Sequence, residues 1–204
     1  MAKIQKLFDK AQDCQKCYGE NPIYVPYPDP NNAKEIAQIM FVNERPGRIG
    51  TGGSGHVSFD NSDPSAEFFK ECFTQLNLDR NQIFITNACL CHPVFPEYKD
   101  KAPTKREIVN CHEWLGRQFS ILQPKLIITL GSIALKSLAL FFSFSEQLKH
   151  YRLKKDIGIV ITDTTPWVYP LYHTSRRGRI HRNAEKQKFD WLKIPSILEK
   201  INQL

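Results

Sequence analysis

The sequence predicts an α/β protein: a three-layer αβα sandwich around a central, mainly parallel β-sheet, in a single domain spanning residues 1–204. Two observations lead there. Short apolar runs bounded by turn residues recur at Ile39–Val42, Ile83–Thr86, Leu126–Leu130, Ile157–Ile161 and Val168–Tyr172, as buried strands do. Between them lie stretches with apolar residues three and four apart, such as Phe68, Phe69, Cys72, Phe73 and Leu76, or Ile108, Trp114, Leu115, Phe119 and Leu122, the spacing of one helix face. Strands separated by helices of about ten or more residues require crossover connections, and hence a largely parallel sheet covered on both faces.

The elements follow in order. The first ten residues interleave charged and apolar side chains at helical spacing, without the unbroken apolar run and small-residue cleavage site of a secretory leader, so a cytoplasmic location is expected. After the first strand comes an irregular stretch, Asn43 to Pro64. Asp63-Pro64 then opens a helix, with Pro at a first-turn position. The second strand leads into a second irregular stretch, His92 to Pro103, ended by Thr104 and Glu107 in capping-box spacing at the start of the next helix. The most apolar segment, Leu126 to Phe144, is interrupted by Gly131, Ser132, Lys136 and Ser137, short of the roughly 20 apolar residues of a membrane span. It reads as a strand and then a helix starting at Gly131-Ser132, and no membrane partner is expected. The two irregular stretches each follow a predicted strand, where sites gather in open parallel sheets.

The 204 residues are 41% hydrophobic, 11% aromatic and 24% charged, which excludes a disordered or fibrous chain. With 28 Lys and Arg against 21 Asp and Glu, the net charge is +7, and a polyanionic partner, nucleic acid first, is favoured. A monomer is expected.

There are six cysteines. In a reducing compartment they are read as thiols or metal ligands rather than as disulfides. Cys14 and Cys17 form a CxxC pair; Cys89, Cys91 and Cys111 follow the second strand; Cys72 lies on an apolar helix face and is read as core. Four thiolates suit either a zinc ion or an iron–sulfur cluster, and ligand count does not separate the two.

Three strand ends carry polar chemistry. Asn43-Glu44-Arg45-Pro46-Gly47 ends the first strand and is followed by glycines at 50, 52, 53 and 55, which match neither a P-loop nor a dinucleotide-binding pattern and read as a flexible loop. Asn87 ends the second strand and offers an amide donor and acceptor to a planar base. His173-Thr174-Ser175 ends the last, followed by Arg176, Arg177, Arg179, Ile180 and Arg182, a cluster suited to phosphate contacts.

Taken in order, these segments resemble the uracil-DNA glycosylase superfamily, most of all its iron–sulfur branches, families 4 and 5. Asn43-Glu44-Arg45-Pro46-Gly47 matches the family 4 motif Gly-Glu-Ala-Pro-Gly, with Asn43 and Arg45 in place of Gly and Ala. Phe59 is the candidate for the phenylalanine further along that loop. Asn87-Ala88-Cys89-Leu90-Cys91-His92-Pro93 matches Asn-Val-x-Lys-Cys-Arg-Pro, and His173-Thr174-Ser175 matches His-Pro-Ser with Thr174 for Pro.

The resemblance implies excision of uracil, and of other deaminated bases, from DNA. It implies a [4Fe-4S] cluster on Cys14, Cys17, Cys91 and Cys111, with zinc as the less favoured occupant, and leaves Cys72 and Cys89 outside the set. The roles it implies are catalytic for Glu44, Asn87 and His173, and base-binding for Phe59, Asn87, Asn43 and Gly47. Arg176, Arg177, Arg179 and Arg182 are expected on DNA phosphates, with Ile180 as a wedge. Two alternatives stay open at this point: a catalytically inactive DNA-binding module of the same fold, and a small iron–sulfur or zinc protein.

Overall fold

A computed structural model of the chain describes residues 3–48, 50–98 and 101–203. Ile49 and residues 99–100, inside the two irregular stretches, and the ends of the expected 1–204 domain lie outside the described residues. The central sheet consists of β3 (Ile39–Asn43), β5 (Ile83–Asn87), β7 (Leu126–Leu130) and β8 (Trp167–Leu171), all parallel, in the spatial order β5-β3-β7-β8. Four of the five predicted strands are therefore present, within a residue at each end. Two two-residue ladders lie beside this sheet: β1 (Ile23–Tyr24) runs antiparallel to β6 (His92–Pro93), and β2 (Tyr27–Pro28) parallel to β4 (His56–Val57).

The fifth predicted strand, Ile157–Ile161, does not form. Gly158 turns the chain at φ +90°, and only Ile161 pairs, antiparallel, with Val168. The apolar run is a hairpin return whose last residue touches the sheet edge, a case in which apolar content without alternation does not specify a strand. The glycine-rich run differs as well. In place of a flexible loop, Gly50–Ser54 winds into the short helix α2, closed by the Gly55 amide donating to the Thr51 carbonyl at 2.9 Å.

Alternation along each strand divides the core in two, because successive side chains point to opposite faces. Met40, Val42, Phe84, Ile127 and Val168 face α1 (Lys3–Ala11), α4 (Lys105–Leu122) and α5 (Ser132–Phe141). Ile39, Phe41, Ile85, Ile128 and Tyr169 face α3 (Pro64–Thr74), α9 (Ala184–Trp191) and α10 (Ile194–Asn202). The result is the three-layer sandwich that the sequence predicts. Trp191 anchors the second layer, stacked on Phe41 at 5.3 Å and edge-on to Phe69 at 4.8 Å. Two short helices, α6 (Glu146–His150) and α7 (Leu153–Asp156), cross beyond α5, and α8 (Arg176–His181) follows β8. Among the described residues no helix is long and apolar enough to cross a membrane.

The helix starts obey local chemistry. Asp63 caps α3, accepting from the Ser65 and Ala66 amides at 3.0 and 3.2 Å, with Pro64 in the first turn. Thr104 and Glu107 form a full capping box on α4: the Thr104 hydroxyl accepts from the Glu107 amide at 3.3 Å, and the Thr104 amide donates to the Glu107 carboxylate at 2.7 Å. Thr104→Ala removes this acceptor and is expected to lower stability by about 1 kcal/mol. A shift in the urea midpoint at unchanged slope checks it.

Candidate functional site

The parallel register brings the polar strand ends to one edge. Asn43 and Asn87 are paired residues at the ends of β3 and β5, and His173 lies just beyond β8. Between these ends and α3 is a cavity of about 530 Å3, lined by Asn43, Arg45, Gly47, Phe59, Asn61, Asp63, Asn87, His173 and Arg176, among others. Of the candidates named from the sequence, Asn43, Gly47, Phe59, Asn87, His173 and Arg176 meet here. Glu44 is not in its wall. The Glu44 carbonyl accepts from the Cys89 amide at 3.1 Å, and burial pushes its half-buried carboxyl up against the opposing pull of Arg45 and Arg177.

Asn87 is 3% exposed, and its Nδ2 has no hydrogen-bond partner among the described residues. A buried donor left open in a cavity wall is suited to an acceptor on a bound molecule. His173 is tuned to be neutral. Burial drives its imidazole down to about 4, against the pull of Asp63. The Ser175 amide donates to its Nδ1 at 3.0 Å, so the proton of the neutral ring sits on Nε2.

The backbone around His173 is closely packed. Gly178 of α8 lies so near that a Cβ there would stand 1.8 Å from the His173 carbonyl oxygen. Gly131, at φ +94°, starts α5 with its Cβ direction 3.4 Å from the His173 Cβ. Thr174, 1% exposed, bonds through its hydroxyl to Ser65 at 2.9 Å and so ties this loop to α3.

Phe59 is 5% exposed, packed on Phe69 and Phe73 with ring centroids at 5.4 and 5.1 Å, and the Arg80 guanidinium lies 4.1 Å over its ring. Arg80 is itself held between Asp29 and Asp60. Of the arginines after His173, Arg176 and Arg177 are exposed. Arg179 donates to the Thr174 carbonyl at 2.5 Å and lies over Phe68, and Arg182 pairs with the buried Asp190, so both serve the loop internally. Ile180 is 81% exposed.

Sequence reasoning missed Arg45, Asn61 and Asp63 as cavity residues. Asp63 carried a signal only for its role as a helix cap. The Arg45 side chain is 7% exposed, paired with Glu107 at 2.5 Å and bonded to the Tyr98 hydroxyl. Glu107 also accepts from Thr104 and Tyr18, and these bonds overcome its burial to hold the carboxyl at about 2.

The cysteines are all free thiols. Cys72 is 1% exposed in the α3 core, as expected. Cys17 accepts from Asn110 Nδ2 at 3.4 Å, next to Cys111 on α4. Burial, and then the neighbouring Cys111, Cys17 and Cys14, push the Cys91 thiol up to about 12. The four expected ligands thus lie within electrostatic reach of one another, an all-thiol donor set of the kind that soft metals take. Among the described residues, no group of three or more His, Cys, Asp and Glu is gathered as a metal ion would require. Cys89, left outside the set by the sequence, is a hydrogen-bond partner of Cys111 and lowers its pKa.

Residues 30–194 match the family model described as the uracil DNA glycosylase superfamily. The chain is 32% identical over 142 residues to the type-4 uracil-DNA glycosylase of Sulfurisphaera tokodaii, covering 64% of this chain and 56% of that protein. It is 29% identical over 140 residues to the type-4 uracil-DNA glycosylase of Pyrobaculum aerophilum, covering 66% and 64% respectively. The matches therefore span between 56% and 64% of these relatives' length. The crystal structure of wild-type Pedobacter heparinus SMUG2 superposes with a TM-score of 0.53 at 15% identity, covering 83% of this chain and 77% of that one, a likeness of fold.

Two outcomes follow from the His173 environment. Gly178→Ala forces the His173 backbone away and should cost about 1–3 kcal/mol of stability, with displaced His173 ring resonances. The fold favours the neutral imidazole, so the His173 contribution is intact above its unfolded pKa near 6.5 and is lost as pH falls through about 4. His173→Gln should flatten that part of the stability–pH curve.

Proposed function

Because this chain belongs to the uracil-DNA glycosylase superfamily, we propose that it is a DNA glycosylase, which flips uracil or another deaminated base out of DNA and hydrolyses its N-glycosidic bond to start base-excision repair. The observation that carries this reading is the meeting of Asn87, Phe59 and a neutral, Nε2-protonated His173 in one cavity.

The chemistry sets the roles. Breaking the bond leaves an electron pair on the base and an oxocarbenium-like sugar, which water then attacks at C1′. A donor is needed at the base oxygen that gains charge, and it acts best when it is fixed beforehand. The Nε2–H of His173 serves there as a neutral donor, with no proton delivered. Asn87 reads the base edge through its open amide. Phe59, held by Arg80, Phe69 and Phe73, lines the wall beside the base, while Asn43 and Gly47 close it. Glu44 orients the water or stabilises the sugar cation from the loop beside the cavity, its carboxyl raised by burial against the opposing pull of Arg45 and Arg177.

The basic loop supplies the grip on DNA. Arg176 and Arg177 reach phosphates, Arg179 and Arg182 hold and charge the same loop, and the exposed Ile180 fills the space the flipped base leaves. Cys14, Cys17, Cys91 and Cys111 hold a [4Fe-4S] cluster in preference to zinc. Its contribution is structural, tying the N-terminal segment to α4 and to the loop after β5. The enzyme acts as a monomer in the cytoplasm, where its free thiols stay reduced.

The test is release of free base from oligonucleotides carrying one uracil, hypoxanthine or xanthine. His173→Ala and Asn87→Ala should each slow release by about a hundredfold to a thousandfold while the protein stays folded. Full activity in either variant refutes its role. No release by the folded wild type from any substrate makes the protein a binding module.

A further inference from the structure

We propose that Arg45 is the specificity-determining residue of this pocket: its Nε–H donates to a second keto oxygen of the flipped base, so the site selects dioxo bases, uracil and xanthine, over the mono-oxo hypoxanthine. The inference rests on the base-flipping reading above and names its substrate class.

Arg45 stands where the family 4 motif carries alanine, and its side chain is only 7% exposed. Two of its three nitrogens are committed: Nη2 to Glu107 at 2.5 Å, and Nη1 to the Tyr98 hydroxyl. The other oxygen of Glu107 is held by the Thr104 amide and hydroxyl, both at 2.7 Å. A planar guanidinium pinned at both ends has little freedom left, so the direction of its Nε–H is set by its partners. That third nitrogen is buried and has no partner among the described residues, and the residue lines the cavity.

Asn87 Nδ2 is in the same condition in the same wall. With His173, whose Nε2 carries the proton, three residues of the lining have a donor to offer. Buried donors are almost always satisfied, so a pair of open ones on two residues that line one cavity points to a ligand rich in acceptors. Uracil and xanthine each carry two keto oxygens. Hypoxanthine has a C–H where xanthine has its second oxygen, and cytosine has an amine where uracil has one. The cavity, at about 530 Å3, has room for a purine.

The test measures affinity of the full-length protein for duplexes carrying one non-cleavable 2′-fluoro nucleotide of uracil, xanthine or hypoxanthine. Wild type should bind the two dioxo bases at least about tenfold more tightly than hypoxanthine, the usual worth of one hydrogen bond. Arg45→Lys keeps a cation opposite Glu107 but has no Nε–H. It should lose about tenfold on uracil and xanthine and nothing on hypoxanthine. Equal losses on all three, no loss at all, or a wild type without preference overturns the proposal.

If the variant does not fold, wild type alone decides. An arginine Nε–H resonance should move downfield on binding the uracil and xanthine duplexes and not the hypoxanthine duplex, and indifference to the base overturns the proposal. Base release from cleavable duplexes is scored separately: its absence removes the glycosylase reading, while the affinities still decide for or against Arg45.

Discussion

The site depends on the in-register parallel pairing of the central strands. Parallel strands present all their carboxyl ends to one side, so side chains far apart in sequence meet without any contact between the loops themselves. Here Asn43 and Asn87 are partners across β3 and β5, and the turn at Leu130-Gly131 lies against His173 beyond β8. A slip of one residue would turn each asparagine to the opposite face, away from its neighbour. The register is secured by the fully buried alternation beneath it, in which Ile39, Met40, Phe41 and Val42 are each 0% exposed and split between the two helical layers.

A second constraint couples the cavity to the cysteine region. Arg45 and Glu107 form a buried ion pair, and such a pair is tolerated only when its remaining donors and acceptors are met. Glu107 meets this through Thr104 and Tyr18, and Arg45 meets it in part, through Tyr98 but not at its Nε; these bonds join the start of α4, the N-terminal segment and the loop after β5 in one network. Cys111, Asn110 and Cys17 lie along the same side of α4. The wall that would touch a base and the thiols that would hold a cluster therefore share one support.

The loop after β8 shows how charge and close packing divide the work. Gly178 lets α8 pass against the His173 carbonyl, the Ser175 amide fixes the imidazole tautomer, and Arg179 and Arg182 hold the turn from within. Only Arg176 and Arg177 then face solvent freely. A run of four arginines is thus two structural and two exposed, a division that a net charge of +7 does not contain.

The sequence by itself determined the layers, four of the sheet strands and the helix starts, because those are local matters: apolar alternation, three-and-four spacing, Asp63-Pro64 and the Thr104–Glu107 box each act within a few residues. It also marked Asn43, Asn87 and His173, since polar residues closing buried strands stand out against their surroundings. Tertiary structure decided what those signals leave open. Ile157–Ile161 reads as a strand but meets a Gly158 turn and pairs at a single residue, because a strand exists only where a neighbour accepts its hydrogen bonds. Glu44 is absent from the cavity lining while its neighbour Arg45 belongs to it, held by Glu107, sixty-two residues away in the chain. Likewise the packing of Phe59 under Arg80, and of Cys89 against Cys111, depends on partners that only folding brings within a few ångströms.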